Sequence, residues 1–387
     1  MRARLVQGIE QVPAAAWDAC AGADNPFLGH RFLHALEASG SVGPKTGWQP
    51  LHLVVDDGDD GNDGDVLAVA PMYLKSHSYG EYVFDWSWAS AYERAGGRYY
   101  PKLQVAVPFT PVPGPRLLVR RGLPNAAAVE RVLIGALVGA ADQLDVSSLH
   151  VTFCTEGEWR SLGEVGLMRR TGVQYHWSNR GYAAFDDFLA TLRSDKRKTI
   201  RKERAKVREQ GVTIETLHGD AVRDEHWRAF YPFYRNTVDQ RWGGAYLTRD
   251  FFRRLGATMA DRVVLVMARH GGRYVGGALN LLGADTLYGR IWGCLEEFRF
   301  LHFEACYYAA IDFAIAHGLA RVEAGAQGPH KLQRGYAPVA TYSAHYVRDP
   351  GFARAVARFL DEERREVAAQ MEELREHLPY RQENAPG

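Results

Sequence analysis

The chain has 387 residues, 47 Lys and Arg against 46 Asp and Glu, 46% apolar residues and 12% aromatic ones. That length suffices for two or three domains with sizeable cores, and the composition excludes disordered, collagen-like and disulfide-scaffold chains. A formal net charge of +1 excludes a protein whose whole surface coats nucleic acid, although a sum of charges hides their distribution.

The N-terminal run MRARLVQGIEQVP lacks the uninterrupted apolar core of a signal peptide. No window reaches 18 consecutive apolar residues, so no transmembrane helix is expected and the protein is read as cytoplasmic. Helical patterns at Ala14–Ala21 and Gly29–Ser39 precede apolar strands at Leu51–Asp56 and Val66–Leu74. Between those strands Asp56–Asp65 carries six Asp. Asp59, Gly61 and Asp63 faintly suggest a calcium loop, but its required closing Glu is Ala70, so a solvated hairpin loop is the reading. The stretch Lys75–Pro115 is dense in aromatics, Pro and Gly, interleaved with Ser78, Glu81, Asp85, Tyr100, Lys102 and Thr110. It reads as a rigid, loop-built groove or as an extended connection with packed aromatics.

A helix near Ala126–Leu144 and a strand Ser148–Phe153 close the first half. The second half shows helical patterns at Phe185–Gln210, His226–Gln240 and Arg249–Ala260. Strands follow at Val263–Arg269, Tyr274–Leu282 and Thr286–Trp292, then a helix Glu304–His317 and a strand Arg321–Ala324. The same order of elements therefore occurs twice, which predicts an α/β (α+β) fold of two similar domains, 1–180 and 181–387. The tail Phe352–Leu378 places Phe352, Val356, Phe359, Val367, Met371, Leu374 and Leu378 on one face of an amphipathic helix. Cys20, Cys154, Cys294 and Cys306 lie far apart with no CxxC pair, so buried thiols and no metal site are expected.

Three groups could carry chemistry. In Arg193–Arg208 nine Lys/Arg stand against two acids, and Arg197, Arg201, Arg204 and Arg208 repeat at helical spacing. Such a stripe is either a solvated basic face or a site where phosphate relieves the mutual repulsion. Glu304 lies beside the apolar face Leu301, Ala305, Tyr308, Ile311 and Ile315, and Glu323 sits in a strand that should be largely buried. A carboxylate in such surroundings needs a partner or a wet cavity. The loop GAQGPHKLQRGY then crowds Gln327, His330, Lys331, Arg334 and Tyr336 together. GxSxG, HExxH, Walker A and a strand-borne GxGxxG are all absent, and Gly271-Gly272 reads as a hairpin turn.

The runs YLKSHSYGEYVFDWSWA, YYPKLQVAVPFTPVPGPRLL, SDKRKTIRKER, LYGRIWGC, LHFEACYYAAIDFAI and VEAGAQGPHKLQRGY resemble FemAB-like N-acyltransferases of the GNAT superfamily, a family tied to peptidoglycan. The resemblance implies two GNAT-like domains in tandem, each a mixed, mostly antiparallel sheet flanked by helices. It implies direct transfer of an acyl or aminoacyl group to an amine, with acyl-CoA or aminoacyl-tRNA as co-substrate and no tightly bound cofactor. In the FemA/FemX branch the carrier is an aminoacyl-tRNA and the acceptor a peptidoglycan precursor. A Q/RxxGxG/A pyrophosphate loop is replaced here by EEFRFLHFEAC, which weighs against acyl-CoA. On this reading Glu304, Glu323 or His330 is the base. Arg197, Arg201, Arg204, Lys331 and Arg334 hold carrier phosphates, and backbone N–H groups near Gly289–Gly293 stabilise the oxyanion. Ser78, Tyr79, Glu81, Asp85, Trp86, Tyr100, Lys102, Phe109, Trp292 and Gln327 line the acceptor site. The alternative is a non-catalytic protein of the same fold that binds cell-wall precursor or RNA.

Overall fold

The computed structural model describes residues 1–58, 64–242, 244–325 and 328–381, so Asp59–Asp63 and Gln327 lie outside the described residues. The chain divides into two compact units. The first comprises Met1–Gly172 and Ala340–Ala369; the second comprises Val173–Val339 and the segment from Gln370 on. A single cut near residue 180 is thereby corrected, because residues 340–369 leave the continuous 181–387 domain expected for them.

In the first unit β1 (Arg2–Val6), β2 (Trp48–Pro50), β3 (His52–Asp56), β4 (Val66–Ala70), β5 (Met72–Lys75), β6 (Lys102–Val105), β7 (Leu118–Val119) and β8 (Ser148–Cys154) are the early strands. β1, β3, β4 and β7 form an antiparallel sheet in the order β1-β3-β4-β7. β2 and β6 flank β5 antiparallel, and β8 runs parallel to β6. A parallel neighbour needs a crossover, supplied by the helix Ala126–Gln143. Its Leu133 and Leu137 are fully buried against Val55, Leu103, Leu149 and Val151, each such side chain contributing about 1.5–3 kcal/mol. The expected strand Val66–Leu74 is two strands in two sheets. Pro71 divides them, since it has no N–H to donate to a ladder. The Lys75–Pro115 region is likewise not all loop: it contains the helix Trp86–Arg94 and β6.

The second unit holds β9 (Met168–Ser178) from Val173 on, β10 (Thr213–His218), β11 (Val263–His270), β12 (Arg273–Leu282), β13 (Thr286–Cys294) and β14 (Arg321–Glu323), in the order β10-β11-β12-β13-β14-β9. β10 to β13 form an antiparallel meander. Gly271 and Gly272 turn the β11–β12 hairpin with φ of 55° and 78°, which a tight turn of this kind requires. β14 is parallel to β13 and antiparallel to β9, so the helix-then-parallel-strand order does occur in both units. The last strand, β15 (Ala337–Val347), pairs antiparallel with β8 from Ser148 to Cys154, which is why the chain returns to the first unit after residue 339.

The helix expected over Phe185–Gln210 is two, Phe185–Thr191 and Ser194–Glu209. Leu192 turns extended between them, fully buried and bridged to Tyr380. The tail is the helix Pro350–Glu376. Val356 and Leu360 pack with Trp88, Ala89 and Tyr99 of the first unit, and Leu374 and Leu378 pack in the core of the second. Phe359, expected on the apolar face, is exposed, and Leu360 takes the buried place. No helix among the described residues is long and apolar enough to cross a membrane.

Candidate active site

The second unit positions its polar residues with two irregularities. β14 pairs with β13 only from Thr286↔Arg321 to Tyr288↔Glu323, whereas β13 runs on to Cys294. The two strands therefore part at Gly289. Opposite β12 the register shifts between Leu279 and Asn280, a bulge that bends β13 at that point. The second irregularity is the helical segment after β13. It opens into a π-helical turn at Glu304–Tyr308 between Leu301–Phe303 and Ala309–Ala316. An extra residue in the turn rotates the following face, so Glu304, Tyr307 and Tyr308 are all buried where a regular helix would leave Glu304 at the edge.

Glu323 closes β14 at the parting point and is 7% exposed. Its Oε2 has no hydrogen-bond partner among the described residues, and its Oε1 lies 3.7 Å from His176 Nδ1 of β9. Burial pushes the Glu323 carboxyl up to about 8 and, with Arg321 and Lys331 nearby, holds the His176 imidazole down at about 3. The pair is therefore a neutral imidazole beside a carboxyl poised near neutrality. Lys331, 1% exposed, donates to the Gly325 carbonyl at 2.7 Å, and burial lowers its ammonium to about 8.

A raised carboxyl has a consequence for stability. The folded state keeps a proton on Glu323 that the unfolded chain loses above the ordinary value of 4.5. The stability linked to this group is whole below that value and is lost as pH rises through about 8. Glu323→Gln should therefore flatten the fall of Tm between about pH 5 and pH 9, measured by calorimetry; an unchanged slope would place the carboxyl at an ordinary value.

Glu304 stands differently. Arg204 grips both its oxygens, with contacts of 3.1, 3.2 and 2.9 Å, and reaches Asp312 Oδ2 at 2.6 Å. Burial raises the Glu304 carboxyl, and the Arg204 charge works against that rise. The guanidinium also lies 4.5 Å from the Phe185 ring centre. The arginine stripe is consequently not one free row. Ile200, Glu203 and Val207 form the buried face of the helix Ser194–Glu209, Arg201 pairs with Asp186 at 2.8 Å, and Arg204 is engaged by carboxylates. Arg197 forms no ion pair among the described residues. Arg334 donates to Glu203 at 2.7 Å, covers the Phe303 ring at 3.4 Å, and leaves its Nε buried without a partner among the described residues. Tyr308 also donates to Glu203. His330 Nε2 and the Tyr307 hydroxyl are 2.8 Å apart, and the Trp292 ring packs against His302.

In the first unit Lys75 and Lys102 are fully buried. Lys102 Nζ donates to Ser78 Oγ at 2.9 Å, to Glu81 Oε2 at 2.7 Å and to Asp85. Tyr99 donates to the same Asp85 oxygen at 2.7 Å, and Tyr100 bonds Ser78 at 2.8 Å. Lys75 sits 3.8 Å from Glu81 and 3.7 Å over the Trp48 ring. Burial opposes every one of these charges. It raises Glu81 to about 7 and lowers Lys75 to about 7, but the Lys102 charge overrides it at Asp85 and holds that carboxyl well down. Ser78, Glu81, Asp85, Tyr100 and Lys102 are thus one cluster, while Tyr79 and Trp86 face outward and Phe109 packs on Trp48.

Sequence reasoning passed over Lys75, His176, Glu203 and Tyr307. Glu203 had a signal, since it falls at helical spacing between Ile200 and Val207. His176 had none, because its place opposite Glu323 follows from the pairing of β9 with β14.

The model of the FemAB-like family, described as peptidoglycan biosynthesis/recognition, matches residues 8–382. FemX superposes with a TM-score of 0.54 at 11% identity over 92% of this chain and 100% of its own. The C-terminal domain of a putative lysylphosphatidylglycerol synthetase from Agrobacterium fabrum gives 0.53 at 10% identity, covering 92% and 95%. L-PGS from Bacillus licheniformis gives 0.50 at 11%, covering 87% and 98%. At such identities the likeness is one of fold. No curated protein matches significantly.

Proposed function

The chain belongs to the FemAB-like family, and on that premise we propose that it is a transferase of GNAT-like fold, moving an aminoacyl group from a phosphate-bearing carrier to an amine of a cell-wall precursor. The observation that carries this reading is Glu323: a buried carboxyl near neutrality, with one oxygen unpartnered among the described residues, at the point where β13 and β14 part. An amine attacks an ester or thioester carbonyl only when neutral, so a base of matched pKa must take its proton.

In the proposed reaction the amine nitrogen bonds to the carrier's acyl carbon, and Glu323 accepts the nitrogen's proton. The carrier's C–O bond then breaks, and protonated Glu323 supplies the hydrogen that the leaving oxygen needs. Backbone N–H groups of β13 beyond Gly289 stabilise the oxyanion. Lys331, whose one hydrogen bond among the described residues is to the Gly325 carbonyl, meets an anionic substrate group, with Arg334 beside it. Glu304 serves by holding Arg204, so Glu304→Gln should leave turnover within about tenfold while weakening the Arg204 contact. The replacement of a pyrophosphate loop by EEFRFLHFEAC favours an aminoacyl-tRNA over acyl-CoA as donor.

The test is transfer of labelled groups from charged tRNA and from acyl-CoA to soluble peptidoglycan precursor. Product from charged tRNA is expected; product from acyl-CoA alone, or from neither, overturns the reading. RNA binding should weaken with salt, and Arg197→Ala should lower the log–log salt slope by about 1. A flat salt response would remove RNA as the carrier.

A further inference from the structure

Among the described residues eight large hydrophobic side chains are exposed, and three of them, Tyr79, Phe84 and Trp86, fall within eight positions of the first unit, on a loop and the first residue of the helix that follows it. They are 62%, 39% and 42% exposed, yet they do not point apart. Trp86 stacks on Phe84 with centroids 5.0 Å apart and meets Tyr79 at 5.9 Å, while Tyr79 meets His77 at 5.3 Å. Four rings thus form a continuous row at the surface.

The backbone beneath this row is pinned from inside. The Tyr79 carbonyl accepts from Lys75 at 3.2 Å and from Trp48 Nε1 at 3.1 Å. The Phe84 carbonyl accepts from Arg170 at 2.8 Å, and Arg170 is itself held by Glu363 at 2.7 and 2.8 Å. Asp85, which precedes Trp86, is bound by Lys102 and Tyr99. Taking two lysines and two carboxylates out of water gains little stability over apolar packing. What such a network does provide is a loop of fixed shape, and rings on a fixed loop bind with little loss of rotamer freedom.

We propose that the row His77–Tyr79–Trp86–Phe84 is a binding platform for the C–H faces of pyranose sugars, clamped from below by Lys75 and Lys102. The ring chemistry favours a sugar over a membrane. Residues 76–86 contain no Lys or Arg, and their only charges, Glu81 and Asp85, are buried, so nothing in the loop attracts anionic headgroups. The Tyr hydroxyl and the Trp N–H place polar atoms at the rim of apolar faces, which matches a sugar's hydroxyl edge around its C–H face, while both His77 ring nitrogens are engaged by the Thr46 carbonyl and the Tyr79 N–H. The steps between rings are of the size of one sugar residue. That the sugar belongs to a cell-wall precursor rests on the transfer reading above; as a binding surface of the first unit the platform is measurable without it.

Titration calorimetry of the full chain with N,N′,N″-triacetylchitotriose tests the proposal. Saturable binding is expected, weakened about ten-fold by Trp86→Ala and by Tyr79→Ala, with Trp86→Phe in between. Both side chains are exposed, so unchanged melting will show that the variants fold. No binding by the wild-type chain, or binding that both alanine variants leave intact, overturns it. So does Trp86-dependent binding to phosphatidylglycerol vesicles without sugar binding, which would make the row a membrane contact. Transfer assays separate the two readings: sugar binding through Trp86 in a chain that transfers nothing sinks only the transferase mechanism, and full transfer without sugar binding sinks only the platform.

Discussion

Replacing Glu323 by Gln is expected to lower turnover by about 10²–10⁴-fold, the range associated with a positioned proton acceptor, with little change in carrier affinity. The substitution keeps shape and polarity and removes only the titratable proton. In the wild-type chain the rate should climb with pH to a plateau above about 8, because burial holds the carboxyl there and only its ionised form accepts a proton. The variant should lose that limb, leaving whatever slope the amine substrate itself contributes. His176→Ala, which removes the side chain opposite Glu323 Oε1, should shift the limb without abolishing activity. A Glu323→Gln enzyme with normal turnover would take the carboxyl out of the mechanism. Glu304 offers the contrast within one protein: it is equally buried, but Arg204 occupies both its oxygens. On the proposed mechanism burial alone does not make a base; what distinguishes Glu323 is an oxygen with no partner among the described residues at a parted strand.

The second large effect concerns stability. Lys102→Met should destabilise the first unit by about 3–5 kcal/mol, because it strands Glu81 and Asp85 as buried carboxylates with their main cation gone. The melting transition should fall on the order of 10 °C. Combining Lys102→Met with Glu81→Gln and Asp85→Asn should recover most of that loss, since no uncompensated charge is left. The triple variant separates two explanations that the single one cannot: recovery assigns the damage to unpaired charge, and no recovery assigns it to lost packing. A Lys102→Met chain that melts like the wild type would show that the cluster carries no net coupling. Sugar binding gives an independent reading of the same clamp, for freeing the loop should weaken chitotriose even where the fold survives.

The sequence carried its local patterns well. The helix Ala126–Gln143, the meander β11 to β13 and the amphipathic tail all follow from apolar periods of 3.6 or 2 that a reader can see. Other elements were hidden for definite reasons. β9 and β15 bury Gln174, Thr341, Ser343 and His345, so their inward faces read as polar and the strand period disappears. Leu192 breaks a helix because it is bridged to Tyr380, 188 positions further along the chain. The π-helical turn at Glu304–Tyr308 has no signature in composition.

The balance of +1 and the +7 of Arg193–Arg208 were legible from residue counts, and they directed attention to a basic helix. Whether each charge is solvated, paired or stranded was a different matter. Arg201, Arg204, Glu304 and Glu323 are ordinary residue types whose roles depend on what stands opposite them. For Glu323 that neighbour is His176, brought by strand pairing; for Arg204 it is a carboxylate 100 positions away. Short-range periodicity and the family's own runs determined the fold class and the family. The acid–base character of the site was decided by tertiary structure alone, because desolvation and pairing act through space between segments distant in the chain.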